Sequence, residues 1–229
     1  RRGMTSSRPL ETLPGWPTLA AALALPAALA FAASQAFGRG HPVSGAIMDV
    51  LGSAFAIAAL HIGARLALSG GAPISYAFGV EELSAQACIW LAAGLAMAAA
   101  DRDVARAALS RLFTVVGLGA AVCMAGLWFV GYLSAPAETL ARYSAWMFIG
   151  PAMLLGAHWL AWRRTHAPLL ARVNLGAGAF LAAAAFSAEV LRARIGAGAN
   201  DWVGAAAAAT AFSLALAVNF APSVDGPRR

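Results

Sequence analysis

The sequence contains very little charge and no lysine. Only 11% of its 229 residues are charged, and all 16 basic side chains are arginine, whereas ordinary soluble domains carry roughly 25% charged residues. Hydrophobic residues make up 61% of the chain, more than a soluble fold of this size could bury. A soluble alanine-rich bundle would show a polar face along each helix, yet Val115–Val130 carries no charge on any side. The composition therefore predicts a membrane protein.

The sequence also lacks the common signatures of catalysis and metal binding. Its two cysteines, Cys88 and Cys123, fall at depths in their helices that differ by roughly 10 Å, which is beyond disulfide reach. There is no metal-spaced Cys/His cluster, phosphate-binding glycine loop or Ser-His-Asp arrangement, and no basic stripe with interleaved aromatics. We therefore predict no catalytic residue, no metal, no cofactor and no nucleic-acid partner.

Long apolar runs are what the chain does contain, and a helix needs roughly 17–25 apolar residues to cross a bilayer. We predict an all-α, polytopic membrane helix bundle with about seven transmembrane helices. Residues 1–229 form a single transmembrane domain in this interpretation, with tails at 1–16 and 221–229. Aromatic rings cluster near most of the predicted helix ends, as expected at the headgroup level. The predicted spans are Pro17–Phe37, Val43–Leu68, Leu83–Ala100, Leu112–Leu133, Ser144–Trp162, Val173–Leu191 and Trp202–Phe220.

The arginines predict the orientation of the bundle. Asp101–Arg111 and Arg163–Arg172 each contain three arginines, whereas Ser69–Glu82 contains none. Short basic loops stay cytoplasmic, so the first two segments are predicted on the cytoplasmic side of the membrane and the third on the outer side. Seven spans then put the N-terminus outside, beside several arginines. The first span has an alternative interpretation as a secretory signal, because a basic start and an apolar run precede "AFA" at Ala30–Ala32.

Asp49 and His158 are ionisable residues well inside predicted spans, where such groups are costly and tend to mark function. Asp49 and His158 lie at similar depths toward the cytoplasmic side, so a contact between them is predicted if their helices touch. This contact would be either a proton relay or a structural hydrogen bond.

Two stretches at the predicted outer helix ends resemble each other. "ALHIGARLALSGG" carries His61 and Arg65, and "AFSAEVLRARIGAG" carries Glu189, Arg192 and Arg194. Both show a small-apolar run, a polar residue, an arginine and then glycine, which suggests a weak internal repeat. The five polar residues are candidates for an outer anion site, because the planar guanidinium grips phosphate or carboxylate. The alternative is that these arginines simply extend toward lipid phosphates.

Three segments resemble a family of large, many-helix bacterial membrane proteins without an assigned activity. "AEVLRARIG" (Ala188–Gly196) is similar to its Leu-Glu-Val-Arg-Arg helix ends, and "IWLAAGLAMAAADRDVAR" (Ile89–Arg106) to its Trp-Leu-x-x-Gly-Leu-Ala helix. "YLSAPAETLARYSAWMFIGPAMLLGAHWLAWRR" (Tyr132–Arg164) resembles a later family segment. Family members are far longer, so the resemblance implies that this chain is a C-terminal portion. It implies a location and a topology, and no activity.

Three classes of function remain. A transporter- or flippase-like bundle is favoured by the suggested repeat and by proline and glycine within the spans. A structural subunit of a cell-envelope complex is favoured by small-residue faces suited to close helix packing. An intramembrane enzyme ranks last, because no nucleophile and base share one depth. The predicted partners are membrane lipids, with other membrane subunits or the remainder of a longer chain as further candidates.

Overall fold

A computed structural model of the chain describes residues 15–37, 40–69, 79–99, 104–143, 146–162, 168–196 and 201–220. Within these ranges the regular structure is helical throughout, which confirms the all-α prediction. We number the helices α1 to α8 in chain order. They are α1 (Trp16–Phe37), α2 (Pro42–Ser69), α3 (Val80–Ala99), α4 (Val104–Ser134), α5 (Pro136–Arg142), α6 (Trp146–Trp162), α7 (Pro168–Arg194) and α8 (Asp201–Phe220).

The helices follow from the apolar runs, because a backbone in hydrocarbon must satisfy its hydrogen bonds within its own segment. Four of the eight carry proline in their first turn, where the missing N–H costs nothing. Prolines also occur inside helices. Pro151 lies within α6, which continues through it, and in α1 a π-helical stretch, Ala20–Ala24, directly precedes the turn that carries Pro26.

Among the residues that the structure describes, five helices are long and apolar enough to cross a membrane, which makes this a multi-pass membrane protein by its helices. They are α1, α2, α3, most of α4 and most of α7. The two other predicted spans correspond to α6 and α8, whose apolar stretches Trp146–Ala161 and Gly204–Leu214 are shorter. The count of seven therefore stays a prediction.

Two helices extend further than the sequence predicts. α4 begins at Val104 and not at Leu112, and α7 begins at Pro168 and not at Val173. Parts of both arginine-rich connections are therefore helical. A helix can continue past the hydrocarbon because its backbone hydrogen bonds remain internal, while its arginines reach toward the headgroups.

The chain divides into two compact units, Arg1–Glu82 and Leu83–Arg229. In unit 1, α1 packs on α2 through two glycines. A Cβ at Gly52 would lie 3.0 Å from the ring of Phe31, and one at Gly63 would lie 3.3 Å from the indole of Trp16. Glycine therefore sets the close approach of these two helices, as is common in membrane bundles.

Unit 2 contains α3 from Leu83 onward and α4 to α8, and small residues again allow close packing. Gly178 of α7 faces the carbonyl oxygen of Ala152 in α6, 3.0 Å from where its Cβ would lie. Gly117 of α4 lies against Leu91 of α3, at 2.8 Å by the same measure.

Contacts at the two ends of unit 2 define the directions of its helices. At one end, Ser84 near the start of α3 donates a hydrogen bond to the carbonyl of Met147 near the start of α6. At the other end, Ala98 packs with Trp159 and Leu175, late in α6 and early in α7. We call these the Met147 end and the Trp159 end. The arrangement agrees with the alternating directions that the short connections predict.

Candidate functional site

A chain of polar side chains crosses the interior of unit 2. His158 of α6 is fully buried. Its Nε2 lies 2.7 Å from the carbonyl oxygen of Leu91 in α3, and its Nδ1 lies 3.3 Å from Oγ1 of Thr114 in α4. Ser110, one turn before Thr114, donates to the carbonyl of Gly94 at 2.7 Å. Three helices are thus joined by hydrogen bonds in the membrane interior.

Gly94 is what allows these groups to meet. A Cβ built on it would lie 2.9 Å from Thr114 Oγ1, 3.1 Å from the backbone oxygen of Ser110 and 3.2 Å from Cε1 of His158. Real Cβ atoms almost never approach another heavy atom within 3.0 Å. The network therefore depends on the missing side chain at Gly94.

The geometry fixes the tautomer of His158 and leaves its proton count open. A carbonyl oxygen only accepts, so Nε2 carries a hydrogen and donates it to Leu91. In the neutral ring, Nδ1 can accept the single hydrogen of the Thr114 hydroxyl, whose oxygen also lies 2.7 Å from the carbonyl oxygen of Ser110. In the charged ring, Nδ1–H donates to the hydroxyl oxygen, and the hydroxyl donates to Ser110. Both protonation states fit the same side-chain positions, and in each the network ends at the backbone carbonyl oxygens of Leu91 and Ser110.

Asp49 lies in α2 of unit 1 and is 3% exposed. Its backbone carbonyl accepts a hydrogen bond from the hydroxyl of Ser53, one turn later. The structure therefore buries both intramembrane residues singled out from the sequence. The Asp49–His158 contact stays a prediction.

Glu189 and Arg192 lie together near the end of α7, at the Met147 end of unit 2. Arg192 Nε is 3.9 Å from Glu189 Oε2, and its Nη1 donates to the carbonyls of Leu140 and Tyr143 at 2.9 and 3.3 Å. Gly204 of α8 packs against the Cβ of Glu189. The guanidinium thus joins the end of α7 to the residues that close α5, in a region that is largely screened from solvent. These are charge-assisted hydrogen bonds, which are stronger than neutral ones.

Arg65 of α2 pairs with an acid in the first turn of the following helix, α3. Its Nη1 lies 3.7 Å from Oε1 of Glu82, within unit 1. His61, one turn earlier on α2, is partly buried, and Arg194 is exposed in the last turn of α7. The structure thus forms two Glu–Arg pairs from the candidate residues and their neighbours. A single anion site made of all five candidates stays a prediction.

The sequence analysis missed several buried polar residues, among them Ser110, Thr114 and Asn174. Ser110 and Thr114 are one turn apart on α4, and this i,i+4 spacing of hydroxyls beside an apolar run was an available signal. Asn174 of α7 is fully buried, and neither atom of its amide has a hydrogen-bond partner among the residues that the structure describes. Nothing in its sequence neighbourhood distinguishes it from a loop residue near a helix start.

Both cysteines are free thiols. Within the described ranges, no three His, Cys, Asp or Glu side chains come together in a way that could hold a metal ion. Comparison with known family models, curated proteins and solved structures finds no match to this chain.

Proposed function

We propose that this chain is a transporter- or flippase-like bundle of a bacterial cytoplasmic membrane. We also propose that it corresponds to a C-terminal portion of a member of the large family that it resembles. One observation carries the proposal: three ionisable side chains inside its helices are almost completely buried. Asp49 is 3% exposed, His158 0% and Glu189 4%. Such groups are costly inside a bundle that only packs against its neighbours.

The cost of these groups is what makes them informative. Insertion scales place an aspartate at a helix centre at about 2.5–3.5 kcal/mol, and such residues usually line ion or substrate pathways or proton relays. The hydrogen bond between His158 and Thr114 can form whether the His158 ring is neutral or protonated. This chemistry suits a carrier that couples movement of a solute to protonation.

The proposed substrate-binding residues are the outer candidates of each unit taken by itself, His61 and Arg65 in unit 1 and Glu189, Arg192 and Arg194 in unit 2. A phosphate or carboxylate would approach the arginines and compete with the carboxylates that now neutralise them. Arginine suits this exchange because it presents five N–H donors in a planar fork. The chemical class of the substrate is therefore an anion, either a lipid headgroup or a small solute.

The test reconstitutes the protein into vesicles that contain a fluorescent phosphatidylglycerol in both leaflets. Dithionite bleaches only the outer leaflet, so transfer of lipid between leaflets raises the bleached fraction above one half. We expect transfer by the wild-type protein and an about tenfold slower rate for Glu189→Gln, equivalent to 1.4 kcal/mol in the barrier. Glu138→Gln is the matched control, because Glu138 is exposed on α5 at the same end of unit 2.

Two results would contradict this proposal. Protein-containing vesicles that bleach no further than empty ones would remove lipid as the transported anion. Equal rates for the two glutamine variants would remove Glu189 from the mechanism.

The second candidate function is a structural subunit of an envelope complex. The observation that favours it is the close packing at glycines in unit 2, where a Cβ at Gly117 or Gly156 would lie within 2.8 Å of a leucine side chain. Such tight interfaces build rigid bundles. Stable co-purification of partner subunits in mild detergent, together with no lipid transfer, is the result that would favour this function.

A further inference from the structure

An apolar groove runs along the surface of unit 2 between α4 and α7. Its volume is about 390 Å³, and its floor is formed by the buried side chains of Ala121, Trp128, Phe148 and Leu181. The groove is open along one side and its lining is almost purely hydrocarbon. Because α4 and α7 both contain a stretch able to cross a membrane, this groove opens toward lipid and not toward water.

The shape of the groove limits what can occupy it. Its lining on α4 runs from Leu118 to Phe129, which spans about 16 Å along the helix axis. A helix segment of that length, about 10 Å across with its side chains, occupies roughly 1,200 Å³, which is about three times the volume of the groove. A helix of a second protein therefore does not fit inside. A single unbranched hydrocarbon chain does, because carbon atoms pack about 4 Å apart.

The length of the groove agrees with this. Its lining on α4 begins at Leu118 and extends toward Ser134. The length of about 16 Å matches half of the roughly 30 Å hydrocarbon thickness of a bilayer. The groove is thus about as long as the depth that one acyl chain occupies in a leaflet.

Aromatic and charged residues follow the groove toward the surface. The ring of Tyr132 stacks on Trp128 at the end of the groove nearest Ser134. Arg192 follows Leu181 by three turns on the same face of α7, and exposed Arg142 ends α5 beside it. A lipid with its chain in the groove would therefore place its headgroup at a level where rings and guanidinium groups are found.

We infer that this groove, the α4–α7 groove, binds one acyl chain of a membrane phospholipid, with the methyl end beside Leu118 and the carbonyl end toward Arg192. Surrounding lipid offers an acyl chain the same apolar contacts as the groove does. The acyl chain is therefore held by fixed van der Waals packing in the groove and by its headgroup, which lies at the level of the rings and guanidinium groups. This site concerns binding, and it stands whether or not the protein transports lipid.

The test uses phospholipid vesicles in which one acyl chain carries a diazirine near its methyl end. After irradiation, mass spectrometry maps the crosslinked residues. We expect crosslinks concentrated at Leu118–Val122 and Ala177–Leu181. Moving the diazirine toward the carbonyl end should shift the crosslinks to Phe129 and Ala184.

Two glycines on α4 provide a matched pair of variants. Gly126 lines the groove and Gly119 does not, and a Cβ on either one meets nothing within 4 Å. Gly126→Leu fills the groove and should lower crosslinking there about tenfold, equivalent to 1.4 kcal/mol. Gly119→Leu makes the same change in helix propensity and should leave the crosslinks as they are. Phe180→Ala, which removes an exposed rim side chain, should also weaken them.

Three results would overturn the inference. Crosslinks spread evenly around α4 and α7 would mean ordinary contact with surrounding lipid only. Equal loss in Gly126→Leu and Gly119→Leu would mean that the groove has no special role. Crosslinks from the groove to a second copy of the chain would mean that protein and not lipid covers it. Lipid transfer between leaflets is measured separately, so its absence leaves this result unaffected.

Discussion

Replacing Gly94 with alanine should break the polar network around His158. The new methyl group would lie 2.9 Å from Thr114 Oγ1 and 3.1 Å from the backbone oxygen of Ser110. The hydroxyl can rotate away, but the backbone oxygen belongs to α4 and moves only if the helix moves. We therefore expect α3 and α4 to separate by some tenths of an ångström and the Thr114–His158 hydrogen bond to lengthen or break.

The expected size of the effect combines three contributions. Overpacking a close-fitted interior costs about 1–3 kcal/mol. Hydrogen bonds between membrane helices contribute about 0.6 kcal/mol on average. Alanine gains about 1 kcal/mol over glycine in helix propensity. The net expectation is a loss of about 1–2 kcal/mol for Gly94→Ala, and a small gain for the control Gly119→Ala, whose Cβ meets nothing within 4 Å.

The assay is reversible unfolding in mixed micelles, where a fluorescence or circular dichroism signal reports the fraction of folded protein. A double-mutant cycle with Thr114→Ala tests the mechanism, because neighbouring groups give non-additive effects. Removing the hydroxyl should relieve part of the Gly94→Ala cost. Equal stabilities for Gly94→Ala and Gly119→Ala, or full additivity with Thr114→Ala, would refute the reasoning.

Three further predictions concern topology and single side chains. Cysteines introduced at Ser75 and Arg102, in a background without native cysteines, should be labelled from intact cells at the first position and not at the second; the reverse pattern would mean that the orientation is inverted. Arg192→Ala should lower the unfolding free energy by about 2–3 kcal/mol, since it removes charge-assisted hydrogen bonds to two carbonyls, while Arg229→Ala should change little; equal tolerance would leave Arg192 as a lipid contact only. Asn174→Leu should raise the thermal midpoint in detergent, because a buried amide without a partner among the described residues costs about 1–3 kcal/mol; a lowered midpoint would show that the amide has a partner in the membrane.

The sequence predicts the helices well because a segment in lipid must be apolar and must also satisfy its backbone hydrogen bonds within itself. Apolar runs and helices therefore coincide. The span from Val43 to Leu68 agrees with α2 to within one residue at each end. Helix starts are harder to predict where the apolar run ends before the helix does, as at Val104 and Pro168. Hydropathy has no signal for a helix that continues among headgroups.

Partners of the polar residues could not be predicted from spacing along the chain. His158 meets Leu91 and Thr114, which are 67 and 44 residues away, and the pairing depends on which helix faces pack together. Gly94 decides that packing in unit 2, and in the sequence it is one of 23 glycines. Charge pairs on one helix are easier to predict from the sequence, because their spacing is visible there. Glu189 and Arg192, for example, are i,i+3 neighbours.

The two similar helix ends show how a physical requirement can imitate a repeat. Arg65 pairs with Glu82 on the following helix, whereas Arg192 pairs with Glu189 on its own helix. The two helix ends therefore share an arginine near the end of an apolar helix, but its acidic partner lies on the following helix in one case and on the same helix in the other. An arginine at that level must be neutralised by a carboxylate or a phosphate, whichever element supplies it. The need for a neutralising partner explains an arginine with a nearby acid even if the two stretches have no common origin. The repeat therefore has to be tested on features that charge does not select.

The glycine that follows is one such feature, since Gly196 adopts a φ of 71° just after α7. A glycine in the same conformation after α2 would favour duplication, and an ordinary negative φ there would leave charge neutralisation as the sufficient cause.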